Sequence, residues 1–271
     1  MVTPIAGPSQ LSLLANIQKK GKQEQDLMEK LTTGKRVNKG SDDPTALARI
    51  QQLNSALRGL DQGSENASYG ASTLDTASGG LSNILEGLQS LREVALRSTG
   101  NDLSTTDRSA LVAQGSSLTQ GINDVAGSVN MDGKNLLDGS FQNKAIQVGD
   151  SSGQTVPVSI GSATTTALGI SGFDVSTSAA ATTSLGQIDT AISQVTSQMS
   201  TLGSTSTRLQ NSIEGNQRTA ENLAQAKSTK EDLDYAQAIG QLKAVQINKT
   251  AAIQALALSN NSTKTTLKLI V

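Results

Sequence analysis

The chain carries a seven-residue beat. Positions 53, 60, 67, 74, 81, 88 and 95 are Leu, Leu, Ala, Leu, Leu, Leu and Ala, and Ile50, Leu57, Ile84, Leu85 and Leu91 widen the stripe. A repeat held this long predicts one helix from Pro44 to about Thr99, packed on another helix in the manner of a coiled coil. A second stripe runs from Leu185 to Leu223 in alternating steps of three and four, interrupted only by Ser206 and Asn216. It predicts a helix from Ser184 to about Lys227, roughly 65 Å long at 1.5 Å per residue. Because a turn-rich region separates the two stripes, they are expected to pair antiparallel. A shorter helix is predicted over Ser104 to Val129, with Leu111, Leu118, Ile122, Val125 and Val129 on one face. Ser104 and Asp107 have the spacing of a capping box, with Asp in the usual Glu place.

Both ends are amphipathic. Ser9 to Thr33 sets Leu11, Leu14, Ile17, Leu27, Met28 and Leu31 on a face that weakens between Lys19 and Asp26. Ser228 to Val271 carries Tyr235, Ile239, Leu242, Val245, Ile253, Leu256 and a closing LKLIV. A free monomer would expose that face unless it met something. From Met131 to about Thr183 the pattern changes to dense Gly, Ser and Thr. There AIQVGD and QTVPVSI flank DSSG, a hairpin signature. ALGISGFDVST reads as a loop or short strand. Small residues crowd Gly63 to Gly80, which implies close helix approach there at a cost in helix propensity.

The expected fold is mainly α: a long antiparallel helical rod, a coiled-coil-like bundle, with a small β-hairpin region and two terminal amphipathic helices. The expected organisation is a terminal-helix domain built from 1–40 and 228–271. A rod domain is expected from 41–140 and 184–227, with a short β/loop region, 141–183, at the rod's tip.

The stretch TGKRVNKGSDDPTALA, residues 33–48, joins the first two helices. Gly34 suits a helix C-cap. Asp43 before Pro44 suits an N-cap followed by proline at the first helical position. Asp42 and Asp43 also complement the positive end of the helix dipole. A phosphate-binding loop is excluded, because Arg36 follows Lys35 and no glycine stands five residues before Gly34. The stretch therefore reads as a structural elbow.

Composition removes most chemistry. The chain of 271 residues has no His, Cys or Trp, and only Tyr69, Tyr235, Phe141 and Phe173 are aromatic. Without His and Cys there is no default general base, thiol nucleophile, thiolate metal site or disulfide framework. No HExxH or GxSxG is present, and no GxGxxG stands between a strand and a helix. The carboxylates Asp42, Asp43, Glu231 and Asp232 read as helix-start residues explained by capping. The expectation is no catalytic activity, no cofactor and no metal. The net charge is −1, with both ends mildly basic and the middle acidic. That bias is diffuse and lacks interleaved aromatics, so nucleic-acid binding is not expected. The opening MVTPIAGPSQLSLLANIQKK has no basic run before an apolar core, and its apolar residues are too interrupted to span a bilayer. The expectation is no secretory signal peptide and no membrane insertion.

Four stretches carry a family resemblance: LTTGKRVNKGSDDPTALA at 31–48, LQSLREVALRSTG at 88–100, INDVAGSVNMDGKNLLDG at 122–139 and DLDYAQAIGQL at 232–242. With the two amphipathic ends and the long helices, they resemble bacterial flagellin; only about 145–182 lacks a match. The opening VTPIAGPSQ departs from the Ile-Asn-Thr-Asn-like start usual in flagellins. The Ser-Asp-Asp-Pro at 41–44 is shared with the related hook–filament junction protein.

The resemblance implies a subunit that leaves unfolded through the flagellar type III export channel and polymerises at the distal tip into an extracellular filament for motility. Its implied partners are copies of itself, an export chaperone, the filament cap and the hook-associated proteins. The lack of outer domains implies a short, smooth subunit. The terminal segments would pair into a coiled coil in the filament's inner tube and order on assembly. Leu11, Leu14, Leu27, Leu31, Ile239, Leu242, Ile253 and Leu256 are placed there. The plain alternative for each is a core position within one subunit. In enteric flagellins the rod face also carries an epitope for an innate immune receptor, overlapping the protofilament contact. The matching positions here are Ser90, Val94 and Gln114 in place of Arg, Leu and Glu, with Arg92 and Glu93 kept. Weak or absent receptor activation is expected, since a base and an acid are lost. Arg92 and Glu93 read equally as helix packing between subunits. The alternatives to a filament subunit are the hook–filament junction protein and a surface-exposed, glycan-binding flagellin homologue.

Overall fold

The computed structural model describes residues 8–270. They form α1 (Pro8–Thr33), α2 (Pro44–Ser98), α3 (Thr105–Ser128), β1 (Asn130–Met131), β2 (Lys134–Asn135), β3 (Lys144–Gln147), β4 (Thr155–Val158), α4 (Ser178–Glu231) and α5 (Tyr235–Ile270). The readings on the opening VTPIAG and on the side chains of the closing LKLIV lie outside the described residues. The chain divides into two compact units, one of Met1–Ser55 with Asn222–Val271, the other of Ala56–Glu221.

The Ala56–Glu221 unit is a three-helix bundle dressed with hairpins. Every α2 heptad position in it is buried, from Leu60 through Ala67, Leu74, Leu81 and Leu88 to Ala95. From Ala67 to Ala95 they share one core with Ile84, Leu91, Ile122, Ile188, Val195, Leu202 and Leu209. Hydrogen bonds fix the antiparallel sense of α2 and α4. Ser178 Oγ donates to the Thr99 carbonyl at 2.7 Å, and Asn216 Nδ2 donates to Ser64 Oγ at 3.2 Å. The antiparallel pairing expected of the two stripes is observed. The α3 helix lies along α2 in the same way: Arg97 Nη2 donates to Gln114 Oε1 at 3.4 Å, and Gly87 sits under Ile122.

Helix ends follow local chemistry. Ser104 caps α3 by accepting from the Asp107 N–H at 3.1 Å. Its hydroxyl in turn donates to Asp107 Oδ2 at 2.7 Å, so the shorter Asp answers through the hydroxyl. The C-terminus of α2 is sealed by Arg108, which donates to the carbonyls of Ser98, Gly100 and Val175 at 2.9, 2.9 and 3.3 Å. A cation on the last carbonyls of a helix suits the dipole. The α4 helix begins six residues before the expected Ser184. Thr177 caps it, its Oγ1 accepting from the Ala180 N–H at 3.1 Å. The first turn, Ser178–Ala181, is mostly alanine and lacks the large apolar residues that mark the stripe from Leu185, which hid that start.

The 141–183 segment is not gathered at a tip. Its hairpin, β3 paired antiparallel with β4, lies on α2 between Gly59 and Gly70. Its later part reaches the other end of the bundle, where Val175 meets Arg108. A Cβ on Gly63 would stand 2.6 Å from the Val148 carbonyl oxygen, so only glycine admits the hairpin backbone. The small residues of α2 therefore admit a hairpin there, where a second helix was expected. Asn216, the polar break in the α4 stripe, donates to the same Val148 carbonyl at 2.6 Å, and Asn66 Nδ2 donates to Gln147 O at 3.1 Å. Beyond the hairpin, Ile160, Ala163, Ile170 and Val175 are fully buried, so this Gly/Ser/Thr-rich stretch contributes to the core. A second hairpin, β1–β2, turns at Asp132 and Gly133, both at positive φ, as a two-residue turn of the I′ kind requires. The Asp-Gly pair signalled it, but the sequence reading placed no strand there.

Candidate functional site

The other unit is built from α1, α5, the elbow and the nearer ends of α2 and α4. Here α1 and α5 pack antiparallel. Gln10 Nε2 donates to Asn260 Oδ1 at 3.0 Å, and Glu24 accepts from Gln246 Nε2 at 3.2 Å and Lys249 Nζ at 2.7 Å. The covered side of α1 is Gln10, Leu13, Ile17, Lys20, Glu24, Leu27 and Leu31, and that of α5 is Ala238, Leu242, Val245, Lys249, Ala252, Leu256 and Ser259. Both sets step by three and four, the geometry of a coiled-coil seam. The seam is mixed, because charged or amide side chains occupy several of its layers. The Lys249 ammonium, and after it the Gln246 amide, hold the Glu24 carboxyl below the usual carboxylate range.

The eight residues assigned to inner-core packing divide in two. Leu27, Leu31, Leu242 and Leu256 sit on the seam, buried or half-buried. Leu11, Leu14, Ile239 and Ile253 face away from it and stay 59%, 42%, 48% and 48% exposed. Met28, Ile247 and Leu258 add to the outer apolar faces. Leu13, absent from the sequence-based choice, holds a seam position that its spacing from Ile17 could have revealed.

The elbow is a built structure. Gly34 adopts φ +70° just past α1, and a Cβ there would also meet the Tyr235 hydroxyl at 2.9 Å. Asp43 Oδ1 accepts from the Ala46 N–H at 2.9 Å, an N-cap with Pro44 as the first helical residue. Asp42 does something other than face the helix dipole. Its Oδ2 accepts from the N–H groups of Asn38 and Lys39, both at 3.0 Å, and closes the turn between them. The Asn38 N–H is the main cause holding its carboxyl below the ordinary value, with the Lys39 N–H and Lys30 assisting. Val37, which the sequence reading passed over, anchors the turn in a small cluster with Ala46 and Ile50.

The elbow is tied to the α4–α5 junction. Lys35 pairs with Asp232 as an antiparallel bridge, Arg36 N–H donates to Glu231 O at 2.7 Å, and Leu233 N–H donates to Gly34 O at 3.0 Å. This corrects the reading of Glu231 as a helix-start residue. It is the last residue of α4, where the dipole disfavours an anion. Lys35 Nζ at 2.6 Å and Lys227 Nζ at 3.5 Å compensate for it. The residue that caps α5 is Asp234, accepting from the Gln237 N–H at 3.0 Å.

The receptor-epitope positions lie in the three-helix unit. Ser90, Arg92 and Glu93 are exposed on α2 and Gln114 on α3. Arg92 is engaged by Asp189 of α4, Nε to Oδ1 at 2.6 Å. Val94 is 1% exposed and belongs to the core, so its assignment to a surface contact is wrong. It lies one turn from Leu91 and Ser98, all buried on one side of α2. Among the described residues no cluster of three or more acidic side chains could hold a metal ion, and no helix is long and apolar enough to cross a membrane.

Two family models match the chain: the bacterial flagellin N-terminal helical region over residues 8–142 and the C-terminal helical region over residues 185–270. The chain is 29% identical to the flagellin of Halalkalibacterium halodurans over 250 residues, 92% of each chain. It is also 29% identical to the flagellin of Bacillus subtilis, covering 96% of this chain and 97% of that one. The crystal structure of Bacillus cereus flagellin superposes with a TM-score of 0.50 at 26% identity, over 56% of this chain and 88% of that one. A putative flagellar hook-associated protein from Vibrio parahaemolyticus shares the fold, with a TM-score of 0.60 at 18% identity over 70% of this chain and all of that one. With two such models spanning most of its length and full-length relatives of one kind, the chain belongs to the bacterial flagellin family.

Proposed function

We infer that the chain is a structural subunit that polymerises with copies of itself into the extracellular filament of a bacterial flagellum, serving motility. The observation that carries this reading is the divided α1–α5 pair. One side of each helix is closed by the other, while Leu11, Leu14, Ile239, Ile247, Ile253 and Leu258 remain uncovered. An apolar stripe on both helices of a pair invites neighbours. In this reading 1–40 with 228–271 forms the filament's inner core, and 41–140 with 184–227 forms the surrounding helical domain carrying the 141–183 segment. Ser90, Arg92, Glu93 and Gln114 then serve contacts between subunits.

Export proceeds with the chain unfolded through the flagellar type III channel, with an export chaperone. Addition occurs at the distal end beneath the filament cap, on a base of hook-associated proteins. Activation of an innate immune receptor is weak, because Ser90 and Gln114 offer neither a base nor an acid.

The test is seeded polymerisation. Purified chain is mixed with short filament fragments and imaged by negative-stain microscopy, beside a truncation lacking residues 1–40 and 228–271. Long filaments from the full chain alone support the reading. A full chain that stays monomeric with seeds moves the hook–filament junction role ahead.

A further inference from the structure

Most of the α1–α5 seam follows an ordinary logic, with Leu13, Ile17, Leu27 and Leu31 on one helix and Leu242, Val245, Ala252 and Leu256 on the other. Those layers resemble one another. An apolar seam of similar layers can slip by a heptad at little cost, and each helix can equally pair with its own copy. The polar layers break that degeneracy. Gln10 meets Asn260, and fourteen residues further along α1 Glu24 meets Gln246 and Lys249. The two contacts agree on one antiparallel register, in which Ile17 lies between the levels of the seam residues Ala252 and Leu256.

We propose that Glu24, read by Lys249 and Gln246, is the specificity determinant that fixes the register and the partner of the terminal helices. A slip of seven residues either way carries the Glu24 carboxylate from the level of Lys249 to that of Leu242 or Leu256 on the seam. Lys249 is carried from the level of Glu24 to that of Ile17 or Leu31. Neither group then finds an opposite charge across the seam, and each is partly covered: the Glu24 side chain is 23% exposed and that of Lys249 35%. Covered, unpaired charge is costly, whereas the same pair in register is satisfied. Lys20, one turn away on the same seam, donates to Gln23 Oε1 at 3.2 Å, and Lys249 is the ammonium group that meets the Glu24 carboxylate. Two copies of α5 pairing antiparallel about their middle would bring Lys249 against Lys249 with no carboxylate on the seam to separate them. The determinant therefore rejects homotypic pairs and shifted hetero-pairs by one device. A single polar layer setting register at some expense in stability is the best-attested use of such groups. It matters most for a pair that assembles repeatedly in a crowded polymer, because a misregistered helix would present its outer apolar residues at the wrong heights.

This inference rests on the filament reading for its consequence but not for its geometry, and its test separates the two. The chain has no cysteine, so introduced pairs report register cleanly. Three double variants are made in the full chain: I17C with A252C for the observed register, and I17C with V245C or with S259C for the two slipped ones. Each is made with Glu24 intact, with E24K, and with the exchange E24K/K249E. Oxidation is followed in the monomer and in seeded polymerisation mixtures. With Glu24 intact, the 17–252 crosslink should exceed both slipped ones at least tenfold. E24K should collapse that ratio to within about threefold, the slipped crosslinks or α5–α5 dimers rising as the 17–252 product falls. The exchange should restore most of the ratio, because opposite charges again face each other. An E24K chain that keeps the tenfold preference overturns the proposal, as does an exchange that fails to restore it while E24K has lost it. Seeded growth is scored separately. If the chain with Glu24 intact does not elongate seeds yet shows the crosslink pattern, the filament reading fails and the register determinant stands.

Discussion

The two units solve the same problem, hiding the apolar faces of long helices, to different degrees. In the three-helix unit Leu74, Leu81, Leu88 and Leu91 are fully buried and glycines let a hairpin lie on the helix backbone. In the terminal pair no side chain on the α1 seam is fully buried, charged groups occupy seam layers, and large apolar residues face outward. One unit closes its own core. The other is half of an interface, and its stability is borrowed from whatever covers it. That division fits a subunit that must hold a body together as a monomer and yet keep its ends ready to join.

The comparison can be broken most directly by equal truncations in the two regions. Leu81→Ala should cost about 2–5 kcal/mol of monomer stability in urea unfolding, the range for a fully buried leucine. Leu27→Ala, on the half-buried seam, should cost about 1 kcal/mol or less in the same measurement. Equal losses would mean the terminal pair is as closed as the bundle. Next comes Gly63→Ala, which should destabilise the monomer by about 1–3 kcal/mol, because the new methyl meets the Val148 backbone and not a yielding side chain. Amide exchange in 144–158 should rise with it; an unchanged hairpin would contradict the close approach.

The elbow sharpens the comparison with smaller effects. Asp43→Ala should remove the α2 N-cap at about 1 kcal/mol. Asp42 adds a pH signature. Its folded carboxyl titrates below its ordinary value near 3.8. Its stabilisation is therefore complete above that value and disappears as pH falls through the lowered one. Asp42→Asn should flatten the acid limb below about pH 4 in a thermal-melt series and change its neighbours little at neutrality. Smallest of all, Arg92→Ala should cost under about 1 kcal/mol, since the Arg92 and Asp189 side chains are 45% and 50% exposed and water already screens the pair.

Periodicity carried most of the fold. The α2 heptad, the α4 stripe, the Asp43–Pro44 start and the 144–158 hairpin were all legible because each has a local cause in spacing or capping. What stayed hidden had causes far away in the sequence. The reason for Gly63 is Val148, the reason for Asn216 is the same carbonyl, and Glu231 at a helix end is met by the distant Lys35 as well as by Lys227. Val94 was misplaced because matching to a surface pattern ignores which side of the helix is packed. Leu11 and Leu14 were chosen over Leu13 because apolar character alone does not say which stripe meets the partner within the chain and which faces out.

The bundle holds itself together, whereas the terminal helices are completed from outside. Amide hydrogen exchange on the monomer and on the assembled filament tests it most directly. Exchange should be slow over 74–95 and 188–209 in both states. Over 10–33 and 238–258 it should be fast in the monomer and slow by at least a hundredfold in the filament. Terminal helices as protected in the monomer as the α2 core, with no further slowing on assembly, would contradict it.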